Sequence, residues 1–123
     1  MNYNIRSFSA NSDTFFNIFG DNNLPQIFVL SETWFNVNNT QELPGYKSHH
    51  VFRSDCRSGG ISIYVRDDII SFKLDDFSFV DSTIEICTVC FYKDNIKHYL
   101  FGIYRPHSGT IDSFRWDNQQ FEI

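Results

Sequence analysis

The segment that most constrains the fold is the apolar run "IFVL", residues 27–30, which continues directly into "SETWF". Its apolar residues do not alternate with polar ones, and such a run is typical of a strand that is covered on both faces. We therefore expect a layered domain in which other elements pack on both sides of this strand. The strand ends at a carboxylate, Glu32, which at such a position is either solvated or a ligand.

The other strand patterns surround this segment. Residues 61–66, "ISIYVR", alternate cleanly, so Ile61, Ile63 and Val65 should share one face of a strand. "YKSHHVFR" (46–53) predicts an exposed or edge strand, and "IISFKLDDFSF" (69–79) a weaker strand pair or a strand and loop. "STIEICTVCFY" and "IKHYLFGIYRP", joined by the turn "KDN", predict a hairpin whose second arm ends at Pro106.

Two helices complete the prediction. The first covers Ser12–Phe19, is capped by Asn11 or Ser12 and stops at Gly20. Its apolar face consists of Phe15, Ile18 and Phe19. The second begins near Thr110 and continues to Ile123, and the residues along one side of it are Ile111, Phe114, Asn118 and Phe121. With about six or seven strands, the fold class is α+β with strands predominating.

Length and composition indicate a single domain. The chain has 123 residues, of which 41% are apolar and 18% aromatic, including 14 Phe. No window of 18 or more apolar residues could span a bilayer, and the first thirty residues do not have the pattern of a secretory signal. We expect a soluble, intracellular protein without a membrane partner.

The cysteines do not predict a disulfide framework or a metal site. Cys56, Cys87 and Cys90 are odd in number, which fits a reducing compartment. Cys87 and Cys90 are three residues apart in a predicted strand, so they should point to opposite faces and behave as small buried apolar residues.

Charge is unevenly distributed along a chain whose net charge is −5. Between Pro44 and Arg66 the cations outnumber the one carboxylate, Asp55, and they are Lys47, Arg53, Arg57 and Arg66. The stretch from Asp67 to Glu85 contains six carboxylates and one cation, Lys73. The first stretch could meet phosphate while the second faces away. Both could equally be ordinary solvated surface.

Polar residues occupy three predicted strand ends: Asn4, Glu32, and Tyr104 with Arg105. Glu32 could hold Mg²⁺, which takes one or two protein carboxylates and leaves its other positions to water and a substrate phosphate. Asn4 could orient Glu32 or bind a phosphate oxygen, Tyr104 could donate to the same phosphate, and Arg105 could offset its charge. Taken singly, a strand-end Glu is more often solvated and a strand Tyr more often packs.

Four motifs in this order resemble one family. "NIRSF", "IFVLSETWF", "GYKSHHVFRSDCRSGGISIYVRDDI" and "FGIYRPHSG" are similar to the amino-terminal half of the endonuclease domain of non-LTR retrotransposon polyproteins, in the endonuclease/exonuclease/phosphatase superfamily. The resemblance implies a four-layered α/β sandwich, of which residues 1–123 form a single incomplete domain without its carboxy-terminal half. It also implies Mg²⁺-dependent hydrolysis of DNA phosphodiester bonds, in a nuclear polyprotein that carries a reverse transcriptase.

The resemblance also assigns residues. Asn4 matches the Asn of the first-strand motif, Glu32 the metal-binding Glu, and Tyr104 the active-site Tyr near the scissile phosphate. Arg105 and Pro106 match the residues that follow, whereas His107 replaces what is often a second Pro. Arg105, Arg53 and Arg57 are the predicted substrate-binding residues.

Other catalytic residues of the family follow the matched motifs. They are a Gly-Asp-x-Asn motif and a late Asp and His that act on the attacking water, so we expect the chain to be inactive alone. Two alternatives stay open at this point. One is a phosphomonoesterase or phospholipid phosphohydrolase of the same superfamily, and the other is a non-catalytic remnant.

Overall fold

The computed structural model describes residues 1–19, 24–53 and 59–105, and these form two β-sheets and one α-helix. The helix is α1, Phe8–Phe19. The strands are β1 Asn2–Asn4, β2 Ile27–Ser31, β3 Tyr46–Val51, β4 Ile61–Arg66, β5 Ile70–Lys73, β6 Phe79–Val80, β7 Glu85–Lys93 and β8 Ile96–Tyr104. The α+β class is confirmed. The strand number is corrected from six or seven to eight in the described ranges, because two residues after a 3₁₀ turn pair with β7 as β6.

The first sheet has the order β1-β2-β4-β3. β1 runs parallel to β2, and the other neighbours are antiparallel. β2 therefore lies inside the sheet, as its apolar pattern predicts, and β3 lies at an edge, as predicted for residues 46–53. Residue Asn4 of β1 is aligned with Ser31 of β2, so both strands end at the same place.

The second sheet is built on β7. β8 pairs with β7 along its whole length, and β5 and β6 pair with the other side of β7 at different positions. The predicted hairpin is confirmed. Its two turn residues, Asp94 and Asn95, have φ of 54° and 63°, which is the backbone of a type I′ turn and matches the twist of the two strands.

Apolar side chains fill two layers, one on each side of the first sheet. The layer between the sheets consists of Val29, Val51, Ile61, Ile63, Val65, Ile69, Cys87 and Val89. The layer between the first sheet and α1 consists of Ile5, Phe8, Phe15, Phe28, Leu30, Phe35 and Tyr64. Neighbouring β2 residues enter opposite layers, so β2 is covered on both faces. Burial of each large side chain here contributes about 1.5–3 kcal/mol.

Helix α1 begins four residues earlier than predicted. Ser7, not Asn11 or Ser12, is the cap, because its Oγ accepts a hydrogen bond from the Ala10 N–H at 3.3 Å. The Asn11 amide instead donates to the carbonyls of Ile5 and Arg6. The predicted apolar face is wrong at Ile18, which is 60% exposed, whereas Phe15 is fully buried. The predicted stop at Gly20 and the predicted helix at 110–123 lie outside the described residues.

The cysteine prediction is confirmed for β7. Cys87 belongs to the layer between the sheets, whereas Cys90 lies on the opposite face of the strand, beside Tyr99. Both are buried and neither forms a disulfide. Burial raises the pKa of the Cys87 thiol to about 12, so it remains protonated at neutral pH. Cys56 lies outside the described residues.

His49 makes the stability of the fold pH-dependent. It lies on β3 between the sheets, 6% exposed, with Nε2 2.9 Å from the Ser71 hydroxyl oxygen of β5. Burial, together with the positive charges of Lys47, His50 and Lys73, lowers the pKa of His49 to about 4. As the pH falls below about 6.5, His49 binds a proton in the unfolded chain but stays neutral in the folded chain. The free energy of unfolding therefore falls until about pH 4, where His49 is protonated in the folded chain as well.

We expect this effect to cost about 2 kcal/mol between pH 7 and pH 5. The neutral variant His49→Gln should lose correspondingly less stability over the same interval. Urea unfolding of both proteins at the two pH values measures the difference. His50, whose pKa burial also lowers, contributes equally to both proteins. Equal losses in the two proteins would contradict the assignment to His49.

Candidate functional site

Asn4, Glu32 and Tyr104 come together at one edge of the molecule. Asn4 is the last residue of β1, Glu32 directly follows β2, and Tyr104 is the last residue of β8. The Asn4 side-chain amide donates a hydrogen bond to Glu32 Oε2. The Arg6 backbone N–H donates to Asn4 Oδ1 at 3.2 Å, which fixes the orientation of the amide. Residues that are 28 and 72 positions apart in sequence thus form one polar group.

Tyr104 is a hydrogen-bond donor at neutral pH. Burial, the negative charge of Glu32 and a hydrogen bond to that carboxylate together raise the pKa of Tyr104 well above its usual value. The charge of Glu85 acts in the same direction, and the charge of Arg6 opposes it. The hydroxyl therefore keeps its proton and can donate it in a hydrogen bond to an anion.

The backbone around Glu32 is held from two sides. Glu32 has φ of 54°, in the left-handed region, and its carbonyl accepts the Ser7 N–H at 2.7 Å. On the other side, the Trp34 N–H donates to the Gly59 carbonyl at 2.8 Å and the Thr33 N–H to the Gly60 carbonyl at 3.3 Å. The residues with positive φ at this edge are Arg6, Ser7, Glu32, Trp34, Gly59 and Gly60. For the four residues of this set other than glycine such a backbone is strained, and strain of this kind clusters at functional sites, where the surrounding structure has to enforce it.

Glu85 is a site residue that the sequence interpretation missed. It is the first residue of β7, is aligned with Tyr104 across the ladder, and is fully buried. Its Oε1 accepts the Gly60 N–H at 2.8 Å, and its Oε2 forms an ion pair with Arg53 Nη1 at 3.3 Å. Burial raises the pKa of Glu85, while these two partners oppose the rise. Strand parity could have found it, because Glu85 shares the core-facing side of β7 with Cys87.

The Gly59–Gly60 turn connects Glu85 to Glu32. Glu85 binds the N–H of Gly60, and the carbonyls of the two glycines bind the residues that follow Glu32. The turn leaves no space for side chains. A Cβ on Gly59 would lie 2.3 Å from Arg53 Cδ and 2.6 Å from Glu85 Oε2. Both glycines have positive φ, 84° and 94°.

A substitution in this turn tests the crowding. Gly59→Ala should lower the free energy of unfolding by about 1–2 kcal/mol for the left-handed backbone and by a further 1–3 kcal/mol for displacing the ion pair. Gly45→Ala is the matched control, because Gly45 has φ of 83° but nothing within 4 Å of its Cβ position. Thermal or urea unfolding measures both variants. Equal losses would show that the contacts at Gly59 relax without cost.

The predicted substrate-binding arginines have different surroundings. The Arg53 side chain is 9% exposed and is paired with Glu85, so it is suited to holding the Glu85 carboxylate in position. Arg105 is half-buried and donates to the Thr83 carbonyl at 3.2 Å. Arg57 lies outside the described residues. Arg6, which the sequence interpretation left without a substrate role, is exposed and close enough to lower the pKa of Tyr104. Substrate contact by Arg53, Arg57 and Arg105 stays a prediction.

In the basic stretch 44–66, the cationic side chains that the structure describes form contacts with other residues of the chain. Lys47 Nζ donates to the Ser71 carbonyl at 3.1 Å, and both Nε and Nη2 of Arg66 donate to the Asp68 carboxylate at 2.8 Å. With Arg53 bound to Glu85, these contacts favour the interpretation of the stretch as ordinary structure over that of a phosphate-facing surface.

The donor set around Glu32 fits a magnesium ion held by a single carboxylate. The Glu32 carboxylate is a hard oxygen ligand of the kind that Mg²⁺ prefers, and Mg²⁺ sites commonly use one or two carboxylates with several waters. Both Glu85 oxygens are already engaged. Within residues 1–19, 24–53 and 59–105, no group of three or more His, Cys, Asp or Glu side chains could enclose a metal.

Helix α1, the one α-helix among the described residues, is too short to cross a membrane. No protein-family model matches the sequence, and no curated protein matches it.

Proposed function

We propose that this chain contributes part of the active site of a Mg²⁺-dependent endonuclease that nicks DNA. The observation that carries the proposal is the meeting of Asn4, Glu32 and Tyr104 at one edge, in the order in which the retrotransposon endonuclease motifs supply them. A polyprotein with a reverse transcriptase and a nuclear place of action belong to the same proposal. The four-layered sandwich is the architecture proposed for the complete domain.

The chemistry follows from these groups. Bound Mg²⁺ supplies positive charge that stabilises oxygen anions on the phosphate. Asn4 holds the Glu32 carboxylate in one orientation through its amide. The left-handed backbone at Glu32 sets the direction in which the side chain leaves the main chain. When phosphate binds, the Tyr104 hydroxyl turns its one hydrogen bond from Glu32 to a non-bridging phosphate oxygen. The exposed guanidinium of Arg6 offsets the remaining charge of the phosphate.

These residues bind and stabilise, but none of them is placed to activate water. In the resembled family that role belongs to residues that follow the matched motifs, so the 123-residue chain alone is expected to show no nicking activity. The proposal therefore concerns the complete endonuclease domain to which these residues contribute.

Tyr104→Phe in the complete domain tests the proposal, because it removes one hydroxyl and keeps the ring. We expect the rate of Mg²⁺-dependent nicking of a supercoiled plasmid to fall about 100-fold, the usual effect of losing one donor to a transition-state oxyanion. Tyr99→Phe is the matched control, because Tyr99 also lies on β8 but is 54% exposed on the outer face.

The same preparation is assayed on a phosphoinositide and on a phosphomonoester. If the domain hydrolysed either compound and did not nick the plasmid, that compound and not DNA would be the proposed substrate. A complete domain without activity on any of the three would leave the remnant hypothesis in its place.

A further inference from the structure

The candidate site is divided between the two sheets. Asn4 and Glu32 lie at strand ends of the first sheet, whereas Tyr104 is the last residue of β8 in the second sheet. The Tyr104 hydroxyl nevertheless donates a hydrogen bond to the Glu32 carboxylate. Hydrogen bonds between two oxygens are about 2.5–3.0 Å long. This contact therefore requires that the two sheets keep one separation at this edge.

Glu85 joins the two sheets at the same edge. It is the first residue of β7, and both of its carboxylate oxygens bind groups that adjoin strands of the first sheet. Oε1 accepts the N–H of Gly60, which directly precedes β4, at 2.8 Å. Oε2 is 3.3 Å from Nη1 of Arg53, two residues after β3. Because Glu85 is fully buried and these contacts are directional and charge-assisted, they hold the start of β7 at a fixed distance from the first sheet.

The Glu85 carboxylate lies between the two halves of the site. On one side, Glu85 is aligned with Tyr104 across the ladder of β7 and β8. On the other side, the carbonyl of Gly60 accepts the N–H of Thr33, the residue after Glu32, at 3.3 Å. A displacement of the Glu85 carboxylate would therefore move Tyr104 relative to Glu32.

Gly102 allows the sheets to approach each other closely beside Tyr104. It is buried on β8, two residues before Tyr104. A Cβ at this position would lie 3.1 Å from Val29 Cγ1 and 3.2 Å from Ile61 Cγ2, both in the first sheet. Because carbon atoms in contact are normally about 3.5–4.0 Å apart, a side chain at residue 102 would push β8 away from the first sheet.

We propose that Glu85 and Gly102 set the separation between Glu32 and Tyr104, so that both are positioning residues of the candidate site. Glu85 holds the two sheets together, and Gly102 lets them approach. The inference rests on the proposed function, because that function supplies the reaction for which the carboxylate and the hydroxyl are positioned.

The dependence of nicking on the Tyr104 hydroxyl tests the proposal in the complete domain. Glu85→Gln removes the ion pair with Arg53, whereas Gly102→Ala keeps that pair and adds a Cβ between the sheets. We expect each variant to lower kcat for plasmid nicking about tenfold or more, with KM changed less than about twofold. Adding Tyr104→Phe to either should lower kcat by less than about tenfold, instead of about 100-fold, because the hydroxyl is already misplaced.

A measurement without activity uses the 123-residue chain. Urea unfolding of Glu32→Ala, Tyr104→Phe and the double variant gives the coupling between the carboxylate and the hydroxyl. In the wild-type background the double variant should lose less stability than the sum of the two single variants. In the Glu85→Gln and Gly102→Ala backgrounds the two losses should add.

Ser71→Ala is the matched control for both measurements. The Ser71 hydroxyl also joins the sheets, since its oxygen is 2.9 Å from His49 Nε2, but Ser71 is aligned with Phe91 near the other end of β7. We expect this variant to be less stable than the wild type and to keep both the coupling and the full effect of Tyr104→Phe.

Three results would overturn the proposal. The first is additive losses from Glu32→Ala and Tyr104→Phe in the wild-type chain. The second is a coupling that persists unchanged in Glu85→Gln or in Gly102→Ala. The third is an effect of Tyr104→Phe on kcat that is as large in these two variants as in the wild type, because their role would then be stability alone. A complete domain without nicking activity would contradict the proposed function instead, and the coupling in the 123-residue chain would still decide the positioning.

Discussion

Replacing Glu85 with alanine is expected to lower the free energy of unfolding by about 3–5 kcal/mol. The substitution leaves the Arg53 guanidinium, only 9% exposed, without its buried carboxylate, and it leaves the Gly60 N–H without its acceptor. Arg53 keeps its hydrogen bond to the Asp81 carbonyl at 3.4 Å, but removing one side of a buried ion pair costs more than the pair itself contributes. Because small domains are stable by about 5–15 kcal/mol, a loss of this size is a large part of the total. Urea unfolding followed by circular dichroism measures it.

Two further variants separate the parts of this effect. Glu85→Gln keeps an oxygen for the Gly60 N–H but removes the negative charge, so its loss should lie between those of wild type and Glu85→Ala. Asp76→Ala removes an exposed carboxylate of the 3₁₀ turn between β5 and β6 and should change stability by no more than about 0.5 kcal/mol. If Glu85→Ala were no worse than Asp76→Ala, the buried ion pair would have no structural role.

Glu32→Gln should abolish Mg²⁺ binding by the chain. Glutamine can still accept the Asn4 hydrogen bond, so the local geometry is kept while the negative charge is lost. Isothermal titration or NMR titration with Mg²⁺ measures the change in the 123-residue chain. In the complete domain, loss of several kcal/mol of charge stabilisation should lower the nicking rate about 100-fold or more.

Glu42→Gln is the control for Glu32→Gln. Glu42 is also a carboxylate at the surface, and its oxygens accept a hydrogen bond from Ser48 away from the candidate site. It should keep both Mg²⁺ binding and nicking. Equal Mg²⁺ binding by the wild type and Glu32→Gln would show that Glu32 is not a metal ligand. It would favour the interpretation of Glu32 as a solvated residue at a strand end.

The strands could be predicted because their patterns are local. The apolar run at 27–30 and the alternation at 61–66 each predict which faces of the strand are buried. The turn residues Asp94 and Asn95 predict the hairpin between β7 and β8. The start of α1 could not be predicted in this way. Ser7 caps the helix because its N–H and that of Phe8 are held by the carbonyls of Glu32 and Thr33, which lie 25 residues away in sequence.

The candidate site divides in the same manner. Asn4, Glu32 and Tyr104 could be proposed together, because each is a polar residue where a strand ends. Strand parity could have placed Glu85 on the core-facing side of β7, but its role could not be predicted, since that role depends on Arg53 and Gly60, which β7 meets only in the folded chain. Arg53, in turn, looked like a surface cation because its partner is 32 residues away.

The two-sided anchoring of the loop that carries Glu32 has a consequence for its motion. At the start of α1, the N–H groups of Ser7 and Phe8 donate to the loop, and the loop in turn donates to the carbonyls of Gly59 and Gly60, which directly precede β4. Any movement of the loop away from α1 and β4 must therefore break these four backbone hydrogen bonds. The backbone from which the Glu32 side chain extends is thus held in place, and under the proposed endonuclease function an incoming phosphate adjusts to Glu32 rather than the reverse.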